Sequence, residues 1–152
     1  MTFRPARRRL LAFAAGGMVI AASPRAEAQR NAAPIVQPRD PGPAAFAARA
    51  EEMRLLAIAR GDQPYGAIVV KAGLIVGEGA SAVITDLDPT AHAEMQAIRD
   101  AARRLRTDDL SGCELYGTSR ACPMCEAAAY WARIARLRHG AGPAAGEPPS
   151  LR

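Results

Sequence analysis

No apolar run in this 152-residue sequence is long enough to cross a bilayer: the most apolar stretch, Leu10 to Ala22, has thirteen residues, and a membrane-spanning helix needs roughly twenty. Cysteine and histidine are scarce, at three and two residues, so a metal centre would have to be built from very few side chains. A disordered composition is absent too. With 49% hydrophobic and 23% charged residues the chain has the make-up of a globular protein, and its length suits one domain with one core. A strong positive charge is missing from most of the chain. The formal net charge is +5, but five Arg and Glu27 fall within residues 1–28, which leaves +1 for the remainder. That remainder lacks the electrostatic footprint of a nucleic-acid binder, so no nucleic-acid partner is expected.

The first residues carry the charge for another reason. Arg7-Arg8-Arg9 precede the apolar stretch, which leads to Ser23-Pro24-Arg25-Ala26-Glu27-Ala28. A basic start, a short apolar middle and an Ala-x-Ala site are the three parts of a secretory signal, here expected to be cut after Ala28. The order Arg7-Arg8-Arg9-Leu10-Leu11 also resembles the twin-arginine export signal, and Arg25 near the cleavage site suits that route. The mature protein is therefore expected to be periplasmic or secreted, with no membrane attachment after cleavage.

Residues 29–43, with Pro34, Pro38, Pro41 and Pro43, read as a linker. Residues 44–60 carry Phe46, Met53, Leu56 and Ala57 near helical spacing and stop at Gly61, which predicts a first helix. Two runs, 65–70 and 74–79, flank Lys71-Ala72-Gly73 and predict an antiparallel hairpin. Thr90 is the expected N-cap of a second helix over 91–105. A strand over 113–119, a helix over 123–134 with Pro123 in its first turn, and a short strand over 136–140 complete the order. After the hairpin each helix links two strands, so the later strands should be parallel and the sheet covered on both faces. The domain is expected to span residues 44–140, with an irregular tail over 141–152.

His92 begins the second predicted helix, and Cys122 and Cys125 begin the third. The cysteines are three apart and share one helical face, where the positive end of the dipole favours thiolate, the form that binds zinc. His92 and Glu94 are two apart and would diverge along a helix flank. A metal shared by these groups must therefore sit off the helix end. Three protein ligands leave the fourth tetrahedral position open, as in catalytic zinc sites, where the metal lowers the pKa of water to about 7. Glu94 is then the candidate to carry protons from water to the substrate without being a ligand. His-x-Glu followed by Pro-Cys-x-x-Cys is the signature of zinc nucleobase deaminases, which remove an exocyclic amine from a heterocycle by hydrolysis; here Ala121 stands in the place of that Pro.

From about Ala48 to Gly140 the chain resembles the cytidine and deoxycytidylate deaminase superfamily, in particular its guanine deaminase branch. The resemblance rests on four ordered blocks: Pro64-Tyr65-Gly66-Ala67-Ile68-Val69-Val70-Lys71, Asp88-Pro89-Thr90-Ala91-His92-Ala93-Glu94-Met95, Leu110-Ser111-Gly112-Cys113-Glu114-Leu115-Tyr116, and Cys122-Pro123-Met124-Cys125 running on to Tyr130-Trp131-Ala132-Arg133-Ile134. It implies a three-layer α-β-α fold with a mixed sheet, C-terminally shortened in this sequence, and assembly as a homodimer. It also implies a Zn2+ cofactor on His92, Cys122 and Cys125 and catalysis through Glu94. The substrate it implies is a small amino-heterocycle, a purine or pterin base ahead of cytosine or a nucleoside. Tyr65 and Trp131 are expected near the substrate, as is Ser81, which stands where the family usually has an Asn that contacts the base. Arg120 and Ala121 replace the usual Glu and Pro before the first cysteine.

Two other functions fit parts of this pattern. A zinc-stabilised binding protein of the same fold could have given up catalysis at Ser81 and Arg120. A thiol-disulfide protein could use Cys122 and Cys125 as a redox pair, although that leaves His92 and Glu94 without a role. Cys113 is expected in the core, His139 at a strand end, and Arg103, Arg104 and Arg106 at a solvated helix terminus.

Overall fold

The computed structural model describes residues 33–139. The predicted signal peptide, the start of the linker and the C-terminal tail lie outside the described residues. The elements are α1 (Pro43–Ala59), β1 (Gly66–Lys71), β2 (Leu74–Ala80), α2 (Ala93–Leu105), β3 (Cys113–Gly117), α3 (Pro123–Trp131) and β4 (Arg136–His139). Among the described residues the sheet has the order β2-β1-β3-β4. β1 pairs antiparallel with both β2 and β3, and β3 pairs parallel with β4. The sheet is mixed, as expected, and each strand after the hairpin runs in the direction of β2.

β1 is a nearly continuous apolar run because both of its faces are covered. Ile68 and Val70 face Phe46, Ala50 and Met53 of α1, while Ala67 and Val69 face Ala93, Ala97 and Ala101 of α2 with Leu110, Leu115 and Ala129. The period-two alternation of a strand thus divides one run between two cores. Phe46 and Tyr116 close the α1 side with an edge-to-face contact at 5.4 Å between ring centroids. The turn between β1 and β2 places both Ala72 (φ 48°) and Gly73 (φ 80°) in the left-handed region, the requirement of a tight hairpin turn whose twist matches its strands.

Two local expectations are corrected. Thr90 is not the N-cap of α2; its hydroxyl and amide both donate to Asp88, and His92 occupies the cap in an extended conformation. The third helix ends at Trp131 rather than running to 134, because Arg133 turns left-handed (φ 58°). The Pro-rich stretch before α1 is tied to the sheet by Gln37. Its side-chain amide donates to the Ile75 carbonyl and accepts from the Ile75 amide, at 2.8 and 2.9 Å, occupying backbone groups that an edge strand would otherwise leave open.

α2 lies unusually close to β2. A Cβ placed on Gly79 would sit 2.1 Å from the Ala93 carbonyl oxygen and 2.4 Å from the Ala97 nitrogen, and one on Gly77 would meet Ala97 and Ala101 backbone at 2.6 Å. Glycine is required there for proximity, not for torsional freedom. At the far end of the hairpin, Asp62 is 7% exposed and accepts five hydrogen bonds, from the Gln63, Ile84 and Thr85 amides and the Ser81 and Thr85 hydroxyls, at 2.8–3.0 Å. Burial alone would raise its pKa. The hydrogen bonds from Thr85, Ser81 and Gln63 outweigh that and hold it down at about 2.

Two stability measurements follow from this packing. Gly79→Ala should cost about 3 kcal/mol in denaturant unfolding, since backbone atoms on α2 cannot step aside as a side-chain tip can; a loss below about 0.5 kcal/mol would show that α2 moves freely on β2. Asp62, with its folded pKa below the unfolded value of about 3.9, adds stability that is fully present above that pH and is lost as pH falls toward 2. The stability gap between wild type and Asp62→Asn should therefore shrink by about 2 kcal/mol between pH 6 and pH 2.5. A constant gap across that range would disprove the hydrogen-bonded carboxylate.

Candidate metal centre

The ends of α2 and α3 meet beside β3. His92 and Cys122 are the N-caps of these helices, both with extended backbone and neither making a side-chain cap bond. Their side chains are thereby free to point past the helix ends. Pro123 starts α3 immediately after Cys122 and sacrifices no helical hydrogen bond in that place. Cys125, one turn on, is fully buried.

Cys122 Sγ lies 3.6 Å from His92 Nδ1 and 3.6 Å from Cys125 Sγ, and Cys125 Sγ lies 3.8 Å from His92 Nδ1. Both cysteines are free thiols. With Zn–S near 2.3 Å and Zn–N near 2.05 Å, a tetrahedral ion needs edges of about 3.75 Å between sulfurs and about 3.55 Å between sulfur and nitrogen. The three observed edges match that requirement closely. The donor set also calls for a cation. Burial above all, then the Glu94 charge and Cys122, pushes the Cys125 thiol up, so the helix dipole invoked from sequence does not by itself produce thiolate at this cysteine. The three residues fit zinc both in spacing and in chemistry.

Glu94 is the second residue of α2 and only 5% exposed. Its Oε2 lies 3.6 Å from Cys125 Sγ, so it flanks the triad without joining it. Burial raises its pKa above the usual carboxylate range, opposed by hydrogen bonding to the backbone, the His92 charge and Cys125. His92 and Glu94, two positions apart, thus converge as the helix-end argument required, with Cys125 the neighbour of both. Gly117 makes room for the carboxylate: a Cβ there would lie 3.5 Å from Glu94 Oε1 and 3.0 Å from the Ser119 carbonyl. Beside Glu94 is a cavity of about 10 Å3, bordered by Gly117, Ser119, Ala121 and His139, a volume suited to one water.

The other sequence-predicted residues are placed differently. Trp131 is 80% exposed at the C-terminal end of α3, roughly 13 Å along the helix axis from Cys122. There it stacks edge-to-face on Tyr130 at 5.4 Å and borders a surface cavity with Asp108, Asp109 and Arg133. The described chain does not bring it to the triad. Tyr65 is half-buried against the α2 side of the core, and its carbonyl accepts the Ser81 amide at 3.0 Å. Ser81 is 1% exposed and gives its hydroxyl proton to Asp62 at 2.8 Å, which leaves only acceptor capacity for a ligand. Arg120 is on the surface, 69% exposed and 3.9 Å from Glu126. Cys113 is in the core, as expected.

Sequence reading missed Asp62, Gly117 and Ser119. Asp62 follows a helix-ending glycine and looks like a turn residue, and nothing local marks its distant partners. Gly117 and Ser119 lie just upstream of Cys122, and that proximity was the available signal.

Comparison with known proteins agrees with this geometry. Residues 43–141 match the family model described as the cytidine and deoxycytidylate deaminase zinc-binding region. Guanine deaminase from Bacillus subtilis (strain 168) is 51% identical over 70 residues, 46% of this chain and 45% of that protein. The tRNA-specific adenosine deaminase of Aquifex aeolicus (strain VF5) is 48% identical over 81 residues, 53% of this chain and 54% of that protein. The chain thus spans about half the length of these curated relatives. The X-ray structure of guanine deaminase from Bacillus subtilis superposes with a TM-score of 0.63 at 40% identity, covering 66% of this chain and 64% of the other. With a matched region of this extent and a zinc-type triad formed by the ends of α2 and α3, the chain belongs to the cytidine and deoxycytidylate deaminase family, whose zinc-binding region it carries.

Proposed function

We propose that this protein is a zinc-dependent hydrolytic deaminase of a small amino-heterocycle, a purine or pterin base ahead of cytosine or a nucleoside. The observation that carries the reading is a buried, non-ligating Glu94 at 3.6 Å from one thiol of a His-Cys-Cys triad. A purely structural zinc site has no use for a buried carboxylate held beside its ligands at the cost of desolvation.

His92, Cys122 and Cys125 hold the zinc, which when bound supplies a Lewis acid that makes water acidic near neutral pH. The remaining work falls to the chain. The reaction joins water oxygen to the amine-bearing carbon and breaks the carbon–nitrogen bond, so that C–NH2 and H2O become C=O and NH3. Glu94 takes the proton from water and delivers it to the ring nitrogen beside that carbon. It then carries the second proton from the new hydroxyl to the amino group as ammonia leaves. A raised pKa suits a group that must both accept and return a proton, and closure of Gly117 and Ser119 around it limits competing water.

The relatives include enzymes named for guanine and for tRNA adenosine. Two features favour the small substrate here. Outside residues 1–28 the formal charge is only +1, too little for a phosphate-tracking surface, and the sequence blocks resemble the guanine branch. We further propose export by the twin-arginine route, which carries folded proteins and would allow zinc to be loaded before the thiols meet an oxidising compartment, and assembly as a homodimer.

Ammonia release should be measured over amino-purines, pterins, cytosine, nucleosides and a tRNA anticodon stem-loop, with wild type beside Glu94→Gln. Wild type should turn over a free base, and the variant should keep its zinc while losing at least about 100-fold in rate. Equal ammonia release by the two proteins would remove Glu94 from the mechanism. A zinc-loaded wild type silent on every compound would favour a non-catalytic zinc protein, and activity on the stem-loop alone would overturn the small-substrate reading. For export, replacing Arg7 and Arg8 by Lys should retain the precursor in the cytoplasm; undiminished delivery would reject the twin-arginine route.

A further inference from the structure

We infer that Asp62 is a positioning residue for the metal centre, acting through the loop that leads from β2 to His92. Two carboxylate oxygens offer about four lone-pair sites, and Asp62 receives five donors. Four of the five come from Ser81, Ile84 and Thr85, about twenty residues further along the chain. This is the density of donors seen at an anion site, spent here on fastening one loop to another.

The fastened loop cannot hold itself by burial. Ile84 is 52% exposed and Leu87 88% exposed, and Leu87 is left-handed at φ 52°, a conformation that costs a branched side chain about 1 kcal/mol or more. Order must be imposed by hydrogen bonds. From the residues that Asp62 grips, those bonds continue inward. The Asp86 amide donates to the Ala82 carbonyl at 2.9 Å, the Ala82 amide to the Ala91 carbonyl at 3.0 Å, and the Ala91 amide to the Asp88 carbonyl at 3.0 Å. Ala91 is fully buried and immediately precedes His92.

His92 depends on this route. As an N-cap it is anchored by the helix on one side only, and its side chain makes no capping bond that would fix its own direction. The path of the chain arriving at Ala91 therefore sets where Nδ1 stands relative to Cys122 and Cys125. At the same residue that Asp62 grips by its hydroxyl, the Ser81 amide donates to the Tyr65 carbonyl, so the start of the loop is held twice. The same carboxylate turns the Ser81 hydroxyl inward, so that in this chain the position serves the scaffold of the site.

This inference rests on zinc at His92, Cys122 and Cys125 and is independent of the deaminase reaction. The test is zinc affinity, measured by competition with a chromophoric chelator, together with melting of zinc-loaded and zinc-stripped protein, for wild type, Asp62→Ala and Asp62→Asn. Groups that orient a metal ligand from outside typically change affinity by 10–100-fold when removed. Asp62→Ala should weaken zinc binding by about that factor, and the milder Asp62→Asn, which keeps one accepting oxygen and the side-chain shape, by a smaller but measurable factor. A residue that served only the fold would lower both melting temperatures equally and leave affinity unchanged; a positioning residue narrows the gap between loaded and stripped forms. If Asp62→Ala does not fold, Asp62→Asn decides: zinc affinity within twofold of wild type overturns the inference. A folded wild type that takes up no zinc overturns the metal centre itself and this inference with it, and is told apart by the wild-type measurement alone.

Discussion

The close seating of α2 on β2 fixes the geometry on which the site depends. Gly77 and Gly79 on the strand face Ala93, Ala97 and Ala101 on the helix, so backbone meets backbone with almost no side chain between. A helix held by larger side chains can shift by rotamer changes; one held by backbone contact has little freedom to move. The contact with Gly79 falls at Ala93, between His92 and Glu94 in the sequence. The start of α2, where His92 and Glu94 stand, is therefore held on its helical side by the same van der Waals surface that forms the core.

Electrostatics then determine what this rigid frame can hold. Two sulfurs 3.6 Å apart, if both were thiolates, and a buried carboxylate 3.6 Å from one of them would repel as anions. Desolvation raises the pKa of both Cys125 and Glu94, disfavouring their charged forms. A zinc ion held by His92, Cys122 and Cys125 would relieve the conflict by putting a divalent charge where the thiol protons stand, and would make the carboxylate of Glu94 easier to ionise. The helix dipole does not offset burial at Cys125.

The sequence was legible where chemistry is local. His92, Glu94, Cys122 and Cys125 can be identified because metal-binding side chains are rare in this chain and their spacing restricts them to helix ends, while apolar runs and punctuating glycines located every element to within a few residues. The order of helices and strands even set the strand directions correctly. Legibility failed where a residue's neighbours in space, rather than its own type, decide its place. Thr90 looked like a cap because capping residues are judged one at a time, yet Asp88 competes for it two residues away. Trp131 shares a sequence block with the cysteines but lies at the opposite end of a nine-residue helix, and adjacency in a motif says nothing about a separation of about two and a half turns.

Asp62 and Ser81 show most clearly why such failures concentrate at loops. Core positions are constrained by a pattern that repeats along the chain, whereas a hydrogen-bonded loop is constrained by one partner at an arbitrary separation. Taken alone, Ser81 is a shortened replacement for a ligand-contacting amide and suggests a loss. Paired with Asp62 it is a donor in a five-bond cluster that fastens the approach to His92. The groups that border Glu94 include Gly117, Ser119 and Ala121, while Ser81, the position that the family resemblance first singles out, is held by Asp62.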